Sequence, residues 1–250
     1  MTVKGKHAII TGGGTGIGLA IAQDLAAKGA QVTITGRRQE VLDAVAVDGI
    51  TGMAMDVRDE ADVVATIAQA VEARGPVQIC IANAGIAEGR SLHKTDLEFW
   101  RNMMATNLDG AFLTIRESLT SMRQTDWGRV IAVSSMAGLR GLPGAACYSA
   151  SKHGMIGLIR SLSEDYMGQP YTFNALCPGY VDTPIVTRNT ASIAKRAGLT
   201  EQKARDIMIN SNRHKRLITP DEVATAAAWL VGDGSGSING QCIEIAGGQM

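Results

Sequence analysis

Neither sign of charge dominates this chain: Lys and Arg total 24, against 24 Asp and Glu. A protein that tracks a polyanionic backbone carries a basic excess, so the balance weakens a nucleic-acid reading. Cysteine is scarce and dispersed, at Cys80, Cys147, Cys177 and Cys242, with no CxxC pair. That spacing argues against a disulfide framework and a zinc site, and reads as a reduced, intracellular protein. The four histidines, His7, His93, His153 and His214, lack metal-ligand spacing, so no metal is expected. No apolar run is long enough to span a bilayer, and the apolar segment after Met1–Lys6 is too short for a secretory signal. A soluble, cytoplasmic protein without a membrane partner is the expectation. Internal repeats, low-complexity tracts and Pro/Ser-rich linkers are absent as well, which leaves one domain over residues 1–250.

What the chain has is glycine, 29 residues without a G-X-Y period, and a regular alternation of short apolar runs with longer amphipathic ones. Strands are expected at His7–Thr11, Gln31–Thr35, Thr51–Met55, Val77–Ala82, Arg129–Ser134, Thr172–Cys177 and Cys242–Ala246. Helices are expected near Gly16–Lys28, Gln39–Val45, Glu60–Arg74, Leu97–Arg123, Tyr148–Met167 and Pro220–Val231. Short strands that are apolar on both faces suit a parallel sheet covered by helices, and right-handed crossovers make it α/β and doubly wound. Residues 184–219 break the alternation with polar helices and no strand, in the position of a lid over the ligand crevice.

The first strand runs into Thr11-Gly-Gly-Gly-Thr-Gly-Ile-Gly18, which opens a helix. Glycines allow a sharp turn and close approach to a pyrophosphate, and the helix N-terminus offers free N–H groups. A plain flexible loop is the competing reading. The second strand ends in Gly36-Arg37-Arg38, where an NAD-selective site would hold an acidic residue for the ribose 2′-OH. Paired guanidinia suit a 2′-phosphate, so NADP(H) is favoured over NAD(H); the alternative is a solvated helix start. Asp56, ending the third strand, suits either the adenine amino group or a helix cap.

Tyr148 and Lys152 are spaced i, i+4 at a helix start and share a face. Reducing a ketone leaves an alkoxide that needs a proton, and a free phenol with a pKa near ~10 is poorly matched to neutral pH. An ammonium about 4 Å away supplies about 4 kcal/mol at an effective dielectric near 20, in the direction that lowers the phenol. A surface i, i+4 pair is the bland alternative. Ser135, at the end of the strand Arg129–Ser134, stands where a hydroxyl would hold the substrate oxygen. Asn107 falls inside the long helix, where an Asn back-bonds, faces solvent, or kinks the helix and holds water.

With TGGGTGIG at Thr11–Gly18, NAG at Asn83–Gly85, Asn107, Ser135, YSASK at Tyr148–Lys152 and PGYVDT at Pro178–Thr183, the chain resembles the short-chain dehydrogenase/reductase family over nearly its full length. The resemblance implies a Rossmann-like seven-stranded sheet of order 3-2-1-4-5-6-7. It implies a catalytic tetrad of Asn107, Ser135, Tyr148 and Lys152, with Tyr148 as acid/base and Lys152 on the nicotinamide ribose and lowering the phenol pKa. Asn107 would hold a relay water. Cofactor contacts are implied at Gly12, Thr15, Gly16, Ile17 and Gly18, at Arg37 and Arg38, and at Asp56 and Val57. Further ones are implied at Asn83, Ala84 and Gly85, and at Pro178, Gly179, Val181 and Thr183, with Asp56 at the adenine, Asn83 near the adenosine ribose, and Val181 and Thr183 at the carboxamide.

Other residues read more plainly. Cys147 is expected to be a small buried thiol and His153 to be packed; Gly247 and Gly248 shape the exit of the sheet or a subunit contact. Wide apolar arcs (Met103, Met104, Phe112, Leu113 and Ile115; Met155, Ile156, Leu158, Ile159 and Leu162) suit a homodimer or homotetramer, or else deep burial in one subunit. Residues 185–216 hold eight basic residues (Arg188, Lys195, Arg196, Lys203, Arg205, Arg213, Lys215, Arg216) against Glu201 and Asp206, eight minus two, or six net positive. A basic cleft rim would focus an anionic 3-oxoacyl-CoA or acyl-carrier thioester; surface charge on mobile helices is the alternative. A dehydrogenase of a free alcohol, sugar, or cyclic or aromatic ketone is the second enzyme reading. A dinucleotide-sensing or scaffold protein without turnover is the reading from another class.

Overall fold

The computed structural model describes residues 3–248. Seven strands form one all-parallel sheet in the order β3-β2-β1-β4-β5-β6-β7: β1 His7–Thr11, β2 Gln31–Gly36, β3 Ile50–Ala54, β4 Val77–Ala82, β5 Gly128–Val133, β6 Tyr171–Pro178 and β7 Cys242–Ile245. The helices are α1 Gly16–Ala27, α2 Gln39–Asp43, α3 Glu60–Arg74, α4 Leu97–Met104, α5 Gly110–Met122, α6 Ala146–Asp165, α7 Pro184–Ala197, α8 Glu201–Ser211 and α9 Pro220–Leu230. The expected Rossmann-like order is thus the observed one.

Alternation along the strands divides the core into two layers. Ala8 and Ile10 of β1 point to one face with Val32 and Ile34, packing on Ile21 and Leu25 of α1 and Leu230 of α9. Ile9 points to the other with Cys80, Val130 and Phe173, packing on Ile67 of α3, Ile115 of α5 and Ile159 of α6. A one-residue slip of β1 would exchange these sets, so its register is strongly specified. Helix starts are fixed locally: Asp59 accepts from the N–H groups of Ala61 and Asp62 at α3, and Thr219 and Glu222 form a reciprocal capping box at α9 with Pro220 in its first turn.

The single helix expected over Leu97–Arg123 is divided. A π turn over Ala105–Asp109 separates α4 from α5, with Asn107 fully buried inside it. A π turn adds one residue to a helical turn, so the apolar periodicity on each side hides it from the sequence.

Every strand delivers its C-terminal end to the same edge of the sheet, and the glycine turn, the ends of β4 and β5 and the loop after β6 meet there. None of the described helices is long and apolar enough to cross a membrane.

Candidate active site

The turn after β1 is built for close approach. Gly12 has φ +65°, a left-handed conformation open to glycine at little cost. A Cβ on Gly18 would stand 2.5 Å from both the Asn83 Nδ2 and the Gly12 carbonyl oxygen. Thr15 occupies the cap position of α1 without a side-chain cap bond, so the first N–H groups of the helix, from Gly16 onward, have no side-chain acceptor. These features fit a dinucleotide pyrophosphate. Ile17 lines the cavity behind them, and a Cβ on Gly16 would lie 3.1 Å from Thr183 Cγ2, so this turn abuts the loop after β6.

Asn83 braces the turn. Its Nδ2 donates to the carbonyls of Thr11 at 2.8 Å and Gly12 at 3.3 Å, while the N–H groups of Asn83 and Ala84 both donate to Thr11 Oγ1 at 3.0 Å. The side chain of Asn83 therefore ties β1 to β4.

Arg37 and Arg38 are exposed beyond the end of β2, and neither forms an ion pair among the described residues. Asp56 does not cap a helix, since Asp59 does. Its carboxylate accepts from Arg58 Nη2 at 2.6 Å and Nε at 3.0 Å, and that bond first, with Arg37 nearby, holds its pKa below the usual range. Arg58 was not anticipated, and a DVR triplet carries no motif that announces it. The Val57 side chain is buried against Gly110, where an added Cβ would meet Val57 Cγ2 at 2.7 Å, leaving only its backbone for a ligand.

The four tetrad positions converge. Ser135 follows β5, its Oγ accepts from the Ala137 N–H at 3.1 Å, and its side chain lies near enough to the Tyr148 phenol to lower its pKa. Lys152 lies one turn further along α6, its Nζ 5.9 Å from the centroid of the Tyr148 ring and donating to the Val133 carbonyl at 2.8 Å. Burial lowers the Lys152 pKa to about 8. Burial also raises the Tyr148 pKa, opposed by the Ser135 hydrogen bond. Desolvation is thus the largest influence on the phenol in this structure. Asn107 Oδ1 accepts from the Ile86 N–H at 2.8 Å, and Nδ2 donates to the Ile86 carbonyl and Ser151 Oγ, both at 3.0 Å. Gly85 runs between Asn107 and Lys152, since a Cβ there would lie 3.2 Å from Oδ1 and 3.6 Å from Nζ.

The loop after β6 is held by a residue the sequence reading missed. Asn212 is fully buried; its Oδ1 accepts from the Tyr180 N–H at 2.9 Å, and Nδ2 donates to the carbonyls of Tyr180 at 2.9 Å and Arg216 at 2.7 Å. A Cβ on Gly179 would meet Asn212 Oδ1 at 2.4 Å. Val181 bridges Ile218, and the Thr183 hydroxyl donates to the Val181 carbonyl at 3.3 Å. Pro178, Gly179, Val181 and Thr183 all line the cavity.

That cavity measures about 570 Å³ and contains Ser135, Tyr148 and Lys152 in its wall. Ile185, Val186, Asn189, Ile193 and Met208 of α7 and α8 form one side. No described basic side chain of residues 185–216 lines it, contrary to a basic inner rim, and the Arg196 side chain lies outside what is described. Arg205 pairs with Asp182 at 3.4 Å and Arg216 with Glu222 at 2.6 Å. His153 is exposed rather than packed, its Nδ1 bonded to the Ser149 carbonyl at 2.8 Å, because its helical face turns away from the sheet. Cys147 is buried as expected. Gly247, with φ +75°, lies where a Cβ would stand 2.3 Å from the His214 ring. No cluster of metal-ligating side chains occurs among the described residues.

Comparison with known proteins agrees with this geometry. The family model for short chain dehydrogenases matches residues 6–194. The chain is 31% identical to a D-beta-hydroxybutyrate dehydrogenase of Rhizobium meliloti (strain 1021), covering 97% of this chain and 98% of that protein. It is 36% identical to a monensin polyketide synthase putative ketoacyl reductase of Streptomyces virginiae, covering 97% and 96%. A crystal structure of a variant actinorhodin polyketide ketoreductase with NADPH superposes with a TM-score of 0.93 at 31% identity, covering 97% of this chain and 96% of that one.

Proposed function

The chain belongs to the short-chain dehydrogenase family and is an NAD(P)-dependent oxidoreductase acting on CH–OH; we propose that it is an NADP(H)-preferring reductase of 3-oxoacyl thioesters, carried by CoA or an acyl carrier. The observation that carries the chemistry is that Ser135, Tyr148 and Lys152 share the wall of one largely apolar cavity, with Asn107 buried against Ile86 and Ser151.

When bound, NADPH supplies a hydride to the carbonyl carbon. The chain's own residues do the rest. The Ser135 hydroxyl holds the substrate oxygen beside Tyr148, and the phenol passes its proton to that oxygen as the alkoxide forms. Lys152, fixed to the Val133 carbonyl, is placed for the nicotinamide ribose, and Asn107 locks the Ile86 backbone beside it. Burial keeps the phenol protonated at neutral pH, the form that gives up its proton when a ketone is reduced. Asp56 lies at the adenine end with the turn residues Gly12–Gly18 at the pyrophosphate. Arg37, Arg38 and Arg58 beside Gly36, with no acidic residue ending β2, support a 2′-phosphate.

The segment 184–219 acts as a lid with an apolar inner face, while Arg188, Lys195 and Lys203 stand exposed on its outside, where an anionic carrier would dock. The protein works in the cytoplasm as a homodimer or homotetramer. A groove of about 280 Å³ between α5 and α6, with Phe112 exposed beside Leu158 and Leu162, supports the assembly.

The test is absorbance at 340 nm with NADPH or NADH against acetoacetyl-CoA and free acetoacetate, for wild type and Tyr148→Phe. NADPH-dependent turnover selective for the thioester, lost by about 10²-fold or more in Tyr148→Phe, is expected. Equal rates with CoA-linked and free ketones at low salt would remove the thioester assignment. A Tyr148→Phe protein as active as wild type would remove the acid/base assignment.

A further inference from the structure

The described lining of the cavity is poor in charge: among the described residues that line it, Glu88 and Lys152 are the charged ones. Lys152 is buried, with its ammonium engaged by the Val133 carbonyl at 2.8 Å. Glu88 stands in the loop after β4 with a side chain 55% exposed. Arg90 Nη2 lies 3.8 Å from Glu88 Oε1, but its Nη1 pairs more closely with Asp96 Oδ2, at 3.2 Å, and its guanidinium stacks on the Phe99 ring at 4.1 Å. Two carboxylates share one guanidinium, so Arg90 offsets Glu88 only in part, although with Lys94 the loop as a whole is neutral. Arg140 is close enough to influence the Tyr180 phenol but does not line the cavity. Ile185, Val186, Ile193, Met136 and Leu142 also line it.

We infer that Glu88 is a specificity-determining residue which excludes ketones bearing a free carboxylate, so that the site accepts neutral 3-oxoacyl esters and thioesters and rejects the corresponding acids. The inference rests on the reading of this cavity as the ketone site and sharpens its substrate class. A carboxylate entering it would leave water for a largely apolar wall whose described cation, Lys152, is already engaged by the Val133 carbonyl, and would meet the like charge of Glu88. An ester or thioester of the same skeleton meets neither penalty. The carrier's phosphates remain outside, on the exposed basic face of α7 and α8.

The experiment measures kcat/KM with NADPH, and Kd by calorimetry on NADP-loaded protein, for two matched pairs: ethyl acetoacetate with acetoacetate, and methyl 4-acetylbenzoate with 4-acetylbenzoate. Wild type, Glu88→Gln and Glu88→Lys are compared at low and high salt, with thermal melts to confirm folding. Wild type is expected to favour the neutral member by about tenfold or more. Glu88→Gln should narrow that preference and Glu88→Lys should cut it by about tenfold, with high salt shrinking the difference. A preference that Glu88→Lys leaves unchanged, or equal handling of acid and ester by wild type, overturns the inference. Turnover confined to the acetylbenzoate pair would sink the 3-oxoacyl reading while still scoring Glu88. Without turnover the Kd ratios decide, and absence of binding by all four compounds overturns both.

Discussion

Replacing Asn212 by Leu removes a clamp of similar volume and leaves its partners to fend for themselves. Three hydrogen bonds go: from the Tyr180 N–H, to the Tyr180 carbonyl and to the Arg216 carbonyl. Their losses are unequal. The Tyr180 carbonyl keeps the Ile218 N–H at 3.0 Å, and Arg216 is exposed enough for water to substitute. The Tyr180 N–H has no other acceptor among the described residues and is partly buried, and an unpaired buried donor costs about 1–3 kcal/mol. With a smaller share for the other two bonds, the expected destabilisation is about 2–4 kcal/mol, or a fall of roughly 5–15 °C in Tm at this chain length. The loop that moves carries Pro178, Gly179, Val181 and Thr183 along the cavity, so kcat/KM should fall by about tenfold or more. Calorimetric melting and 340 nm kinetics are run beside Ser211→Ala, whose hydroxyl bonds only the Ile207 carbonyl within its own helix. A variant that melts within about 1 °C of wild type refutes the clamp. Lowered Tm with unchanged kcat/KM shows that the loop is positioned without Asn212.

Gly18→Ala places a Cβ 2.5 Å from a backbone carbonyl and from Asn83 Nδ2, so the turn must shift; NADPH fluorescence titration should show Kd raised by about tenfold or more, and an unchanged Kd would dismiss the close-packing argument. His7 is buried, bonded to the Gly75 carbonyl at 2.8 Å and Thr33 Oγ1 at 3.0 Å, and burial lowers its pKa below 6.5. The unfolded chain therefore binds the proton more readily, so this contribution is full above pH 6.5 and is lost as pH falls below it. Urea melts between pH 7 and 5 should show that slope in wild type and a flatter one in His7→Gln; parallel slopes would assign the acid sensitivity elsewhere. Because burial raises the Tyr148 pKa, alcohol oxidation should keep rising into alkaline pH while ketone reduction persists at neutrality; an oxidation optimum at or below neutral pH would contradict a buried protonated phenol.

The sheet was legible almost strand for strand, because most strands are short apolar runs of four to eight residues closed by a turn. Tyr148 and Lys152 on one helical turn and the glycines of residues 12–18 were legible for the same local reason, whereas the roles of Asn107 and Ser135 came with the family resemblance. What escaped is non-local. Asn212 works on Tyr180 from 32 residues away, and nothing in the polar stretch around it distinguishes a clamp from a solvated side chain. Arg58 reaches Asp56 at two residues' distance, yet only the folded turn decides that its guanidinium returns rather than extends into water. Spacing also gave the Tyr148–Lys152 pair without its depth, and burial is the largest influence on both groups, raising the phenol and lowering the ammonium.

The charge on residues 185–216 carries the same lesson to the substrate. A net of six positive charges along a segment counts both faces of its helices, whereas a ligand meets one. Here helical periodicity sorts Ile185, Val186, Asn189, Ile193 and Met208 inward and leaves Arg188, Lys195 and Lys203 exposed. On the proposed thioester reading, that partition offers the inner wall to an uncharged acyl arm and the outer face to an anionic carrier. A free 3-oxo acid would instead bring its carboxylate into the cavity that Glu88 lines.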